Sequence, residues 1–149
     1  MNEELQAVVD SVNDILKDTN PAAFTEKVVC RLVSFGYIPT DEDVWMIAFA
    51  ITKVQNHVLN QINHTTVPEG LMEVVVDMIC GDVLNAKFLS GKLDLDSLDL
   101  SGAVSSVQQG DTTVAFDAAG SDEAKMKGMI AWLMQGKGCD FLCYRKLRW

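Results

Sequence analysis

The sequence predicts a mainly helical bundle of four to five helices, with one small β-hairpin before the carboxy-terminal helix. Three observations predict it. Apolar residues recur at helical spacing through most of the chain. Asn, Thr, Asp and Pro start signals precede those stretches, and a single short stretch near residue 110 alternates with a strand period. The 149 residues fit one domain, and 48% apolar with 22% charged residues is a globular composition.

The first helix places Leu5, Val8, Val9, Val12, Ile15 and Leu16 on one stripe, with Glu3, Glu4, Asp10 and Asp14 opposite. Asp18-Thr19-Asn20 ends it. Asn20-Pro21 restarts a helix, because Asn caps well and Pro fits the first turn, where its missing N–H costs nothing. Phe24, Val28, Val29, Leu32 and Val33 form its stripe, and Gly36 stops it.

Pro39-Thr40-Asp41-Glu42-Asp43 opens the third helix, with three acids at the positive end of the helix dipole. That placement accounts for the acidic run without a metal or an acid–base pair. The helix runs to about Ile62 and is apolar nearly all round from Val44 to Ile51, which predicts burial on most sides at that end. Thr66-Val67-Pro68-Glu69 opens a fourth helix, carried by Leu71, Val74, Val75, Met78, Ile79, Val83 and Leu84 to about Ser90. Helices three and four should pack antiparallel at the centre.

Residues 91–117 are read as a connector loop plus hairpin. Lys92 to Ser101 is acidic and leucine-spaced, an irregular surface connector. Thr112, Val114 and Phe116 alternate with Thr113 and Ala115, so Val104 to Phe116 is a hairpin turning at Gln109-Gly110-Asp111. Gly120-Ser121-Asp122-Glu123 caps a last helix through Met126, Met129, Ile130, Leu133 and Met134. Gly136-Lys137-Gly138 weakens it, and Cys139 to Tyr144 either resumes it or leaves it. Residues 140–149 form a basic tail: Arg145, Lys146 and Arg148 are three of the chain's twelve basic residues.

Charge and composition exclude several functions. A net charge of −9 argues against a free-standing nucleic-acid binder, which needs a basic face. No apolar run approaches the ~20 residues of a membrane span, and no basic-then-apolar leader is visible, so a cytosolic origin with reduced thiols is expected. Cys139 and Cys143 would share a helix face, but His57 and His64 lie in another segment and the spacing matches no zinc ligand set. A solvated position near a helix end suits the histidines better. Asp94, Asp96 and Asp99 lack the glycine and terminal glutamate of a calcium loop. No phosphate-binding glycine loop occurs. The expectation is a chain that is not an enzyme, with no cofactor and no metal.

Three features ask for a partner. A two-stranded hairpin is marginal alone. The terminal RKLRW stretch joins arginine to tryptophan, residue types enriched at interface hot spots. The acidic body complements the basic tail, so one subunit's tail could meet its neighbour's body head to tail.

Asp43 to Ile62, the turn to Val67-Pro68-Glu69-Gly70-Leu71 and the apolar helix after it resemble tailed-phage head–tail connector proteins, in particular those of siphophages and prophages of Gram-positive bacteria. So do Val104 to Phe116 and the end Tyr144-Arg145-Lys146-Leu147-Arg148-Trp149. The resemblance covers roughly residues 40–149; residues 1–39 match less clearly, and Gly136-Lys137-Gly138 interrupts an expected helix. It implies an adaptor subunit that forms a ring, commonly of twelve copies, under the portal protein. Such a ring extends the DNA channel without binding DNA tightly and offers a platform to a downstream neck or tail protein. It also implies a virion location at the head–tail neck, assembly in the bacterial cytoplasm and no membrane partner. Portal or subunit contacts would fall on Tyr144, Arg145, Lys146, Leu147, Arg148 and Trp149, and on Val104, Val107, Val114 and Phe116 of the hairpin. The alternatives are another neck or tail-completion subunit, or a small helical regulator of a host protein.

Overall fold

Each apolar stripe becomes one face of a helix, and the faces converge on a single core. The computed structural model describes residues 1–17, 22–99, 106–109, 112–115, 121–135 and 138–147. The chain is mainly helical, with five packed helices: α1 (Glu3–Leu16), α2 (Ala22–Ser34), α3 (Val44–Ile62), α4 (Met72–Leu89) and α5 (Asp122–Gln135). A seven-residue helix, α6 (Gly138–Tyr144), follows. Between α4 and α5 the backbones of β1 (Ser106–Gln109) and β2 (Thr112–Ala115) pair antiparallel, with Val107 opposite Val114. The turn between them, and the ends of the expected hairpin at Val104 and Phe116, lie outside the described residues.

Local chemistry sets the helix ends. The Asn2 side chain accepts the Leu5 amide at 2.9 Å and caps α1. The turn after α2 puts Gly36 at φ +85°, and a Cβ there would also lie 2.5 Å from the Ser97 carbonyl. Asn63 closes α3 in the left-handed region at φ 59°. A 3₁₀ turn at Glu69–Leu71 leads into α4, three residues inside the start read from Thr66.

Ion pairs fix the helix directions. Lys27 meets Glu73 at 2.6 Å and Arg31 meets Asp77 at 2.7 Å, the same sequence offset twice, so α2 and α4 run parallel. Lys87 meets Asp43 while Lys53 meets Asp82 at 2.5 Å, an offset that shrinks along the chain, so α3 and α4 run antiparallel. These two helices hold the centre: Ile47, Ile51, Val58 and Ile62 of α3 and Val75, Ile79, Val83 and Leu84 of α4 are fully buried. The α5 helix can reach α4 only because position 81 is glycine. A Cβ there would stand 2.8 Å from the Leu133 Cβ and 3.0 Å from the Met134 amide nitrogen.

One expectation needs correction. The stretch from Lys92 is not merely a surface connector. It makes a 3₁₀ turn at Leu95–Ser97, buries Leu98, and donates the Asp99 amide to the Phe35 carbonyl at 3.1 Å. The first half of α3 is buried on most sides, with Val44, Ile47, Ala48, Ala50 and Ile51 inside, but it keeps one exposed strip. Trp45 and Phe49 are 61% and 67% exposed.

Candidate functional site

The sites that merit attention lie at the two ends of α3. At its amino end, Thr40 and Asp43 form a reciprocal capping box. The Asp43 carboxylate accepts the Thr40 amide at 3.0 Å and the Tyr37 hydroxyl at 2.7 Å, and it pairs with the Lys87 ammonium. Burial pushes the Asp43 carboxyl up, but Lys87, the Thr40 amide and Tyr37 together outweigh burial and hold it below the ordinary carboxylate range. Burial, with the adjacent carboxylate, raises the Tyr37 hydroxyl far above its ordinary value, so it stays protonated and donates. By sequence the acidic run is helix-end charge. Asp41 and Glu42 are exposed and fit that reading, but Asp43 is 1% exposed and belongs to the interior. The cluster clasps the α2–α3 turn to α4.

Beside this clasp the surface is apolar. The Trp45 and Phe49 rings tilt against each other with centroids 6.0 Å apart. Ile38 and Leu89, both exposed, flank the same end of the bundle. A groove of about 390 Å³ lies next to it, between the start of α1 and the turn before α3, lined by Glu4, Leu5, Ile38 and Asp41 among others. Sequence reasoning missed this face because residue type alone placed the aromatics inside. A signal was present: Trp45 and Phe49 continue along the helix as Thr52, Lys53 and Asn56, a polar line.

At the carboxy end of α3 the basic tail is held against the body. The Lys146 amide donates to the Ile62 carbonyl at 2.8 Å, and the Asn63 side-chain amide donates to the Lys146 carbonyl at 3.1 Å. The His64 Nε2–H donates to the Tyr144 carbonyl at 2.7 Å. His64 is therefore half-buried and engaged, where the sequence predicts a solvated histidine; His57 is exposed and contacts Gln61 at 2.9 Å. The Tyr144 ring packs over Gly70, where any Cβ would collide with its hydroxyl. These three bonds use main-chain atoms of the tail, which leaves its side chains free of the clasp. Arg145, Lys146 and Leu147 are exposed, and so is Leu142 on α6.

Of the residues expected to make contacts, Tyr144, Arg145, Lys146 and Leu147 are thus brought together at one end. Val107 and Val114 face each other across the paired strands, at backbone level. Val104, Phe116, Arg148 and Trp149 lie outside the described residues.

Elsewhere several of the described polar groups are paired with one another. A pocket of about 250 Å³ between α3, α4 and α5 is lined by Lys53, His57, Met78, Asp82 and Met134, but Lys53 is bound to Asp82 and His57 to Gln61. Burial, reinforced by Asp77, raises the Cys80 thiol well above its ordinary value, and its sulfur donates weakly to the Val28 carbonyl at 3.7 Å. Cys30 and Cys143 are exposed free thiols. Among the described residues no group of three or more His, Cys, Asp or Glu side chains is placed to hold a metal ion. No helix among them is long and apolar enough to cross a membrane. Comparison with protein-family models, with curated proteins and with solved structures found no match for this chain.

Proposed function

We propose that this chain is a structural subunit of a tailed-phage neck, a head–tail connector that forms a ring under the portal. In this reading the ring extends the DNA channel and carries the next neck or tail protein. The small β-hairpin before the carboxy-terminal helices is a further contact or channel element, through Val104, Val107, Val114 and Phe116. The reading starts from the sequence resemblance over residues 40–149. The observation that carries it furthest is the tail clasp: hydrogen bonds between the tail's main chain and Ile62, Asn63 and His64 hold Tyr144 to Lys146 in place while Arg145, Lys146 and Leu147 stay exposed. A preformed surface of mixed basic and apolar side chains suits protein docking, because little ordering entropy remains to be lost on binding.

The net charge of −9 fits a conduit. A subunit repeated around a channel should not adhere to DNA, and acids facing the lumen would repel phosphate. The polar clusters at both ends of α3 act as clasps, which suits a structural protein.

Mass photometry of the purified chain, mixed with the portal protein encoded in the same genome, tests this. Binding in ring stoichiometry is the expected result. A chain that leaves the portal unoccupied overturns the reading and favours a different neck position or a host-protein regulator. Deletion of Arg145 to Trp149 should abolish portal or ring association with helical content unchanged, and normal docking by that truncation would sink the tail assignment.

A further inference from the structure

We infer that the Trp45–Phe49 face receives the basic tail of a second copy of this chain, in a head-to-tail contact. This deepens the ring reading above and rests on it for the choice of occupant. The argument begins with two unlike surfaces. At the amino end of α3, Trp45 and Phe49 are exposed, and so are Ile38 and Leu89 on the segments that Tyr37 and Lys87 tie to Asp43. Asp41 and Glu42 stand four and three residues before Trp45, on the same side of the helix start, and both are exposed. Glu4 of α1 lines the same groove as Ile38 and Asp41, with Glu3 next to it in the chain. None of these four acids forms an ion pair among the described residues.

At the other end, Leu142 and Leu147 are 71% and 72% exposed, beside exposed Arg145 and Lys146. Neither cation has an ion-pair partner among the described residues. One surface is apolar with acids, the other apolar with bases. Each supplies what the other lacks, and apolar burial would add to the charge attraction.

Geometry decides that the contact is between molecules. The tail is bonded to Ile62 and Asn63, seventeen or more residues along α3 from Trp45. At 1.5 Å per residue that is about 26 Å. Arg145 to Leu147, clasped there, do not cover Trp45 of their own chain. A contact between unlike surfaces at opposite ends is heterologous: repeated, it closes into a ring if the rotation permits, and otherwise runs on as a filament.

Charge reversal tests the pairing with the full-length chain alone, by sedimentation velocity over a concentration series. One variant is Asp41→Lys with Glu42→Lys, the other Arg145→Glu with Lys146→Glu. The second leaves the clasp in place, because the clasp uses main-chain atoms of the tail. The parent should sediment as an assembly that weakens with added salt. Each variant alone should stay at single-chain mass, and their equimolar mixture should regain the parent's assembly, since opposite charges then meet at every contact. A third variant, Trp45→Ser with Phe49→Ser, changes only exposed side chains and should also stay at single-chain mass. A parent that remains single at every concentration overturns the contact. So do variants that assemble like the parent, or a mixture that fails to assemble. Portal binding is a separate readout: a chain that assembles head to tail but ignores the portal overturns the connector reading alone.

Discussion

The two ends of α3 handle charge and apolar surface in opposite ways. At the amino end a carboxylate, Asp43, lies inside while two aromatics, Trp45 and Phe49, lie outside, all within seven residues. At the carboxy end the tail follows the usual order, with Ile62 buried and Arg145 and Lys146 in solvent. The difference comes from what each end has to hold. The amino end anchors the α2–α3 turn to α4, and Lys87 and Tyr37 supply the partners that let a carboxylate enter the interior. The carboxy end anchors the tail, which hydrogen bonds to main-chain atoms accomplish without burying a charge. Residue type alone does not set burial; the available partners do.

Removing Asp43's charge should break the amino end most severely. Asp43→Asn leaves the Lys87 ammonium, 12% exposed, without its counter-charge, and should cost about 3 kcal/mol or more in denaturant unfolding. Adding Lys87→Met should recover part of that loss; a double variant no better than the single one would show that the ion pair is not the cause. The pH dependence follows from the same group. Its folded carboxyl lies below the unfolded value of about 3.9, so its contribution is fully present above that value and is lost as pH falls through the depressed folded value. The parent should lose stability below about pH 4, and Asp43→Asn should show a shallower slope there.

At the other end the effect is smaller. His64→Ala removes one hydrogen bond to the tail, worth about 1 kcal/mol. Amide exchange at Lys146 should speed up, while exchange in the middle of α4 stays unchanged. Equal acceleration throughout would mean that the tail is part of the global core. Smallest is the stability effect of Trp45→Ser with Phe49→Ser, within about 0.5 kcal/mol because both rings face solvent. A loss of several kcal/mol would place the rings in the core and remove the docking surface.

Much of the architecture is written in the chain order of apolar residues. The α1 stripe, the stop at Gly36, the reach of α3 to Ile62 and the central α3–α4 pair are all legible, because helical periodicity and cap chemistry are local. The candidate surfaces were legible only in part. The basic tail stands out by composition, but its attachment through Ile62, Asn63 and His64 joins residues 80 or more apart. The exposed aromatics were hidden by their type, since Trp45 and Phe49 look like core until the neighbours of α3 are known.

The sequence by itself determined where helices start and stop, which face of most of them is apolar, and that the chain's charge is divided between an acidic body and a basic end. Those properties follow from spacing, caps and composition, each fixed within a few residues of chain. Only the tertiary structure decided that Asp43 goes in, that Trp45 and Phe49 stay out, and that the tail is clasped about 26 Å along α3 from Trp45. Burial and pairing depend on what packs alongside, and those partners come from distant parts of the chain.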